Sequence, residues 1–439
     1  MKRLLRTALV GTLALGLAAP AFADHQIGGY FRTQFIMEEM GGGGFARVDG
    51  QRKDPKPVTG VDNRLRIRWQ NNINEYVTVV WFGEIDTPWG EPSKGNIGAG
   101  GQLSSDGVNI ETKHAYLEVK IPDTPLSTRI GMQGFGGSFD GAIMNDDMAG
   151  IRLDAKMDMF NATLFWSKYR EGSRTAEDDI DLYVAQFGFA PIKDLKFGLE
   201  GYFQNNQPGD FMQYWVGAKA GYKLAPVDLA GWFIYNFGTD ESGASDVDVS
   251  AWAAFLKGSM ALAGAKVDLR LMYYSKDDDA TDDGSFNQAD SASGYGQGQG
   301  RFEYFDAGLM IMLADVDYNN FNGGRLALND AAYAGYGLFG AVVTGRYSPP
   351  AMKNMYAQAA VGFFTALDDK HSKNDLTKRE GEYLGTEFAA KVGCKIAGNV
   401  DVSLRGAYAL LGDFYDKTNA EGKDPDDLYK LIAMVNVPY

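Results

Sequence analysis

The feature that most constrains this chain is a strict two-residue alternation of side-chain character. The segment 63–71, NRLRIRWQN, places Arg64, Arg66 and Arg68 on alternate positions, with apolar residues between them. Because successive side chains of a β-strand point to opposite faces, this pattern predicts a strand with one charged face and one apolar face. The apolar face must then contact either a protein core, as in an exported sandwich, or the hydrocarbon of a membrane.

The beginning of the chain predicts export. Three basic residues precede an uncharged stretch that ends in the small residues Ala21 and Ala23. This order is typical of a secretory signal peptide, and an uncleaved membrane anchor is the alternative. We therefore expect residues 1–23 to be removed as a signal peptide and residues 24–439 to form a single domain.

Charge and apolar runs narrow the class of protein further. The chain has 57 Asp and Glu against 42 Lys and Arg, and this acidic balance argues against nucleic-acid binding. Its one cysteine, Cys394, cannot form an internal disulfide. The longest uncharged run after the signal peptide, 331–345, has 15 residues, whereas a membrane-spanning helix needs about 20. The exported chain is therefore either soluble or a membrane β-barrel.

Repetition of the alternation favours the barrel. About 18 segments of roughly 8 to 14 residues share it, and short turns between them alternate with long loops rich in Gly, Asp, Asn and Ser. Outer-membrane barrels have short periplasmic turns, long extracellular loops and aromatic girdles, which suit the 13% aromatic content. The sequence thus predicts an all-β fold, a transmembrane antiparallel β-barrel of 16 to 18 strands, with 18 favoured.

The last segment, LYKLIAMVNVPY, has one apolar face and ends on the aromatic Tyr439. Together with the export signal and the strand number, this ending resembles the homotrimeric porins of the bacterial outer membrane. The resemblance implies a homotrimer among outer-membrane lipids and lipopolysaccharide, with Tyr439 recognised by the barrel-assembly machinery. It also implies a water-filled pore for passive diffusion of small hydrophilic solutes, narrowed by a loop inside the lumen. Pro438 departs from the pattern, since proline cannot donate a ladder hydrogen bond.

Six arginines are predicted to line the pore as a basic wall. An arginine at the middle of the lipid face costs about 2 to 4 kcal/mol, so the arginine face of each strand should point to water. Rings of such charge govern which ions pass a channel. The predicted wall consists of Arg32, Arg64, Arg66, Arg68, Arg129 and Arg152.

The loop 134–150 is predicted to supply opposing acids. It is the third long loop of the chain, and the third loop is the one that folds inward in general porins. Asp140, Asp146 and Asp147 would then face the arginines across a constriction and create a transverse field. The alternative is a solvated loop whose acids face the cell exterior.

A calcium loop is a weaker prediction. In residues 279–290, Asp279, Thr281, Asp283 and Asp290 occupy positions 1, 3, 5 and 12 of such a loop, but position 12 lacks glutamate and no helix flanks it. A flexible acidic loop is therefore favoured over a site. Calcium or other divalent ions, here or bridging acidic loops to lipopolysaccharide, are the one kind of cofactor that the sequence suggests.

The long loop region 277–336 contains apolar material where a solvated loop is expected. Its part 301–336 predicts a helix in the barrel mouth, a subunit contact or an uncounted strand. Residues 307–314 and the alanine-rich 251–254 are the candidates for packing between barrels.

A general porin is thus the favoured function, and a channel selective for a sugar or an anion is its alternative. Two other classes stay open: an outer-membrane barrel enzyme, which could use His114, and an exported adhesion or binding β-protein. Neither a G-x-S-x-G nor an H-E-x-x-H motif is present, which favours a protein that is not an enzyme.

Overall fold

The structure, a computed structural model, describes most of the predicted domain. The predicted signal peptide lies outside the described residues. These residues are 24–39, 58–90, 101–102, 110–136, 138–173, 178–241, 243, 246–277, 282–289, 305–313, 328–333, 335–370, 379–417 and 424–439.

Within these residues, eighteen antiparallel strands form one closed barrel, which confirms the predicted fold and the larger strand number. A two-residue strand, β14 (Asp282–Asp283), pairs in parallel with β12 and is not a barrel strand. The barrel strands are β1 (Asp24–Glu39), β2 (Val58–Asn72), β3 (Val77–Pro88), β4 (Glu111–Lys120), β5 (Leu126–Gly136), β6 (Asn145–Lys156), β7 (Phe160–Arg170), β8 (Ile180–Ile192), β9 (Leu195–Asn206), β10 (Phe211–Leu224), β11 (Val227–Asp240), β12 (Val247–Leu262), β13 (Ala265–Tyr274), β15 (Leu338–Tyr347), β16 (Met355–Thr365), β17 (Tyr383–Ile396), β18 (Val400–Leu411) and β19 (Leu428–Pro438).

The barrel closes where β1 pairs with β19. The register aligns Tyr30 with Pro438, and Tyr439 continues the ladder by exchanging two backbone hydrogen bonds of 3.0 Å with Gly29. The Tyr439 hydroxyl then reaches over β1 and donates to the Arg66 carbonyl of β2 at 3.1 Å. Pro438 therefore does not disturb the final register, because the residue after it resumes the pairing.

The outer surface of the barrel is apolar and exposed. Leu199, Val216 and Leu256 are 60%, 55% and 52% exposed at outward positions. Toward the long-loop end, a row of stacked rings crosses four strands, with centroid separations of 4.7 to 5.8 Å between Tyr183, Phe203, Tyr214 and Phe237. In a closed barrel the backbone N–H and C=O groups of every strand bond to neighbouring strands, so none needs water. The apolar belt and the aromatic girdle are stable in hydrocarbon, and the fold is therefore that of a transmembrane barrel.

Three stretches of the long connections fold into the barrel. The first inserted segment, 138–144, follows β5, and the second inserted segment, 305–313, precedes β15. Residues 282–289 lie against the first of these, since the Ala289 amide donates to the Ile143 carbonyl at 3.1 Å. A short helix, α1 (Leu328–Tyr333), is also buried, with Leu328 and Ala332 inaccessible. None of the helices in the described residues is long and apolar enough to cross a membrane.

The region 301–336 therefore combines an inserted segment with a short helix, and its described part contains no additional barrel strand. The suggestion that 307–314 packs between barrels is wrong for the described residues 307–313. Ala307, Leu309 and Ile311 belong to the core cluster inside the barrel and are at most 3% exposed. Of the alanines in 251–254, Ala251 and Ala253 also point inward and are fully buried.

Candidate functional site

The six arginines of the predicted wall all occupy inward positions. Strand register aligns Arg32 with Arg64 between β1 and β2, and Arg129 with Arg152 between β5 and β6. Arg66 and Arg68 share the face of Arg64 by alternation, since Leu65 and Ile67 point outward. The alternation in the sequence thus places two groups of guanidinium groups on the inner face, one on β1 and β2 and one on β5 and β6, with β3 and β4 between them.

Two of these arginines are neutralised by acids of the adjacent strand β3. The Arg64 guanidinium donates two hydrogen bonds of 2.7 Å to the two carboxylate oxygens of Asp86. Glu84 lies 3.4 Å from Arg64 and forms a closer ion pair with Arg66. Both acids are about 5% exposed, so these pairs are held in a poorly hydrated part of the wall.

Two more arginines have acids beside them on the wall. Arg129 donates to Glu118 at 2.6 Å and lies 5.4 Å from the centre of the Tyr116 ring. Arg152 pairs with Asp154 at 2.8 Å. The basic wall is therefore a set of ion pairs along neighbouring strands, because each carboxylate occupies an inward position next to its arginine.

The remaining two arginines differ from these four. Arg32 is buried, at 3% exposure, beside Arg64 and opposite Asn436 of β19. Arg68 is exposed and donates to the Gln70 amide oxygen at 2.7 Å, a neutral partner.

The first inserted segment is held by side chains of β8–β11. It packs against this part of the wall, where Phe139 lies 5.9 Å from the Trp232 ring centre and 6.5 Å from that of Tyr202. Ser138 Oγ donates to Glu200 at 2.9 Å and accepts from Lys219 at 3.1 Å. Residues 138–144 thus lie in the lumen and dock on β8–β11.

Its acids are not arranged as predicted. The Asp140 carboxylate accepts from the Trp232 indole at 2.8 Å, and burial raises the pKa of this carboxyl. Asp147 is at an outward position of β6 and is held at the rim by Lys113 at 2.8 Å and His114 at 2.9 Å. Asp146 is at an inward position of β6. Asp140 and Asp147 thus have Trp232, Lys113 and His114 as partners, and none of these is an arginine of the wall.

The second inserted segment is anchored by a carboxylate of the wall. Glu387 of β17 is inaccessible, and its two oxygens accept backbone N–H groups of three successive residues at 2.6 to 3.2 Å: Met310, Ile311 and Met312. At the other end of the segment, Arg270 donates to the Phe305 carbonyl at 3.0 Å and Thr344 to that of Ala307 at 2.6 Å. The wall therefore holds this segment by both its amides and its carbonyls.

The calcium loop stays a prediction. Asp279, Thr281 and Asp290 lie outside the described residues, and Asp283 is part of β14. Among the residues described, no group of three or more His, Cys, Asp and Glu side chains could hold a metal ion.

The sequence predicts the inward side of the arginines but does not reveal the docking partners of the inserted segments. Glu387 and Trp232 have no distinguishing pattern of their own in the sequence. The apolar residues of GFGGSFDGAIMND were the available signal, because Phe139, Ile143 and Met144 would not be stable in a solvated loop.

Comparison with known proteins gives a fold and no sequence family. No family model and no curated protein matches the chain. Solved structures with the same architecture include Acinetobacter baumannii OccAB1, with a TM-score of 0.59 at 11% identity, covering 96% of this chain and 98% of that one. The outer membrane protein OprD of Pseudomonas aeruginosa has a TM-score of 0.57 at 11% identity, covering 97% and 96%. Pseudomonas aeruginosa OpdK, solved with vanillate, has a TM-score of 0.56 at 10% identity, covering 95% and 98%.

Proposed function

We propose that this protein is an outer-membrane channel that admits small hydrophilic solutes selectively and prefers anions, with carboxylates as the main class. The observation that carries the proposal is the one-sided filling of the barrel. Hydrogen bonds from the first inserted segment to the barrel wall go to β8–β11, and those from the second go to β13–β17. The passage then runs along the inner face of β1–β6, where the arginines lie.

In a narrowed passage, the charges and hydrogen-bonding groups of the wall determine which solutes pass. General diffusion needs a wide aqueous lumen, whereas two docked segments and their buried apolar residues reduce the space in which a solute can avoid the wall. A carboxylate that passes the wall can exchange one acid partner of an arginine for itself, which a neutral sugar cannot do. This favours the selective alternative over the general porin that the sequence resembles.

Two further observations support the proposal. Two of the solved structures of the same fold, OpdK and OprD of Pseudomonas aeruginosa, are outer-membrane proteins by name, and OpdK was also solved with vanillate, a carboxylate. The apolar outer belt of this barrel suits the same location, with lipid and lipopolysaccharide as surroundings. Tyr439, exposed at the end of β19, suits recognition by the barrel-assembly machinery.

The homotrimer stays a prediction, and one of its two supports has been removed. Residues 307–313 lie inside the barrel, so any subunit contact must use outward side chains such as Trp252 and Ala254. Native mass in mild detergent measures the number of barrels directly.

Liposome swelling tests selectivity with matched solutes. Liposomes containing the refolded barrel are placed in isosmotic glucose, gluconate or glucosamine. We expect gluconate to enter fastest, although it is no smaller than glucose. Equal rates for the three solutes would favour a general porin, and no swelling by correctly folded protein would favour an enzymatic or adhesive barrel.

A further inference from the structure

A polar recess lies at the short-turn end of the arginine wall, which is the periplasmic end. It has a volume of about 680 Å³ and is formed by β2, β3, β4 and β5. Its lining includes Arg68, Gln70, Asn72, Thr78, Lys120 and Arg129.

The charges that line this recess differ from those of the wall above it. Arg129 is paired with Glu118, like the arginines paired with Asp86, Glu84 and Asp154. Arg68 has the neutral Gln70 as its hydrogen-bond partner, and neither Arg68 nor Lys120 forms an ion pair with any described carboxylate. The lining holds Asp24, Glu75 and Glu118 as well as Arg68, Lys120 and Arg129, and Arg68 and Lys120 are its two cations without an ion pair to a described carboxylate.

Two acids also border the recess and bear on its charge. Asp24 accepts hydrogen bonds from Gln26 at 3.1 Å and from Asn72 at 3.5 Å, and Glu75 is an exposed residue of the β2–β3 turn. Neither acid forms an ion pair with Arg68 or Lys120, so a ligand carboxylate need not displace an acid from either cation.

Neutral hydrogen-bonding groups connect the two sides of the recess. Gln70 donates to Asn72 at 2.9 Å, and the Thr78 hydroxyl donates to the same Asn72 oxygen at 3.0 Å. With the Arg68–Gln70 bond, these form one chain of polar groups that runs from the arginine to β3. Such amides and hydroxyls recognise hydroxyl groups of a ligand, because each can both donate and accept.

We propose that this recess is a binding station for a small hydroxy carboxylate, with Arg68 and Lys120 holding the carboxylate and the Gln70–Asn72–Thr78 chain holding the hydroxyls. The proposal rests on the proposed function, since the solute reaches the station along the arginine wall. The strongest anion site then lies at the periplasmic end of the arginine wall, away from the middle of the wall where the arginines form ion pairs. The paired arginines lie near balanced charge and guide the solute, whereas the unpaired cations retain it.

Block of single-channel current by gluconate tests this assignment. Gluconate is added on the short-turn side of the membrane. Two comparison solutes are tested in the same way: glucose, which has the same carbon chain without a carboxylate, and propionate, which has a carboxylate without the hydroxyls. The double variant Arg68→Gln, Lys120→Gln removes both unpaired charges. The matched control Lys196→Gln, Lys223→Gln removes two inward lysines near the same rim, on β9 and β10 and outside the recess.

We expect gluconate to block the wild type more strongly than glucose or propionate. Its apparent Kd should rise about tenfold in the recess variant, which corresponds to the loss of one charge-assisted contact, and less than twofold in the control. Equal weakening in both double variants, or gluconate block no stronger than that of propionate, would overturn the station. A wild-type channel that does not distinguish gluconate from glucose and glucosamine in liposome swelling would instead overturn the proposed function. The two failures are therefore distinguishable.

Discussion

The Arg64 guanidinium and the Asp86 carboxylate lie on neighbouring strands and share two parallel hydrogen bonds of 2.7 Å each. This pair shows that the charge of the basic wall is set by neighbours on the barrel as much as by the arginines themselves. Ion selectivity then depends on the net charge of each pair. Neutralising the acid of a pair and neutralising its arginine should therefore change the ion selectivity in opposite directions.

Asp86→Asn should increase the preference for anions, and Arg64→Gln should decrease it. Each change shifts the local charge by one unit, and Glu84 stays 3.4 Å from Arg64 when Asp86 is replaced. At about 8 Å in water a unit charge shifts the energy of an ion by about 0.5 kcal/mol, so a roughly twofold change in permeability ratio is expected for each. The double variant should return near the wild-type ratio. Reversal potentials in salt gradients measure all three, and shifts of the same sign in both single variants would exclude the pairing.

Glu387→Gln should loosen the second inserted segment. The amide group would direct N–H donors at the backbone N–H groups of residues 310–312, with a loss of about 1 to 3 kcal/mol for hydrogen bonds to the carboxylate. Larger and noisier single-channel currents are expected, together with new protease cleavage within 305–313. Asp194→Asn, at an exposed periplasmic turn outside the recess, is the control. Unchanged current and cleavage in Glu387→Gln would show that the segment is held by its apolar packing alone.

Asp140→Asn should alter how barrel stability depends on pH. Burial raises the pKa of the Asp140 carboxyl, so the native state binds its proton more tightly than the unfolded state does. Its contribution is full below the ordinary carboxyl pKa and is lost as pH rises through the raised value. The amide can still accept from Trp232 and carries no charge. The variant should therefore gain in unfolding temperature relative to wild type as pH rises from acid to neutral, whereas Asp158→Asn, in an exposed turn, should not.

Leu256→Arg should impair membrane insertion, while Lys257→Arg should be tolerated. The two residues are adjacent near the middle of β12, but Leu256 is 52% exposed on the outer face and Lys257 points inward beside Arg270. Arginine on the lipid face costs about 2 to 4 kcal/mol near the bilayer centre. The heat-modifiable folded fraction in lipid vesicles reports the difference. Equal folding of both variants would mean that the face assignment of β12 is wrong.

The barrel can be predicted from the sequence because the pattern that defines each strand lies within that strand. Alternation within each strand fixes which side chains face outward, and the arginine that precedes each apolar residue in NRLRIRWQN needs no distant partner to define its side. The strand number was less certain, since the apolar residues of 301–336 could be read as a strand. In the structure, the apolar residues of 305–313 pack inside the barrel, because the Glu387 carboxylate and the Thr344 hydroxyl satisfy backbone groups of this segment.

The docking of the inserted segments was not predictable by the same means. Asp140 and Trp232 are 92 positions apart, and Glu387 follows Met310 by 77, so no local pattern links them. Charge alone suggested that Asp140 would face the arginines. The neighbouring Phe139 decides otherwise, because its ring packs among Trp232 and Tyr202 and carries the carboxylate to the opposite wall.

The zero-current potential of the wild-type channel in a KCl gradient tests the central claim most directly. A planar bilayer holds the purified barrel between concentrated and dilute KCl, and the sign of the potential gives the ratio of chloride to potassium permeability without any variant. The basic wall and its unpaired Arg68 predict a chloride permeability above that of potassium, with the preference reduced at high salt because charges in water are screened. A potassium preference in correctly folded, conducting protein would contradict the anion-selective channel.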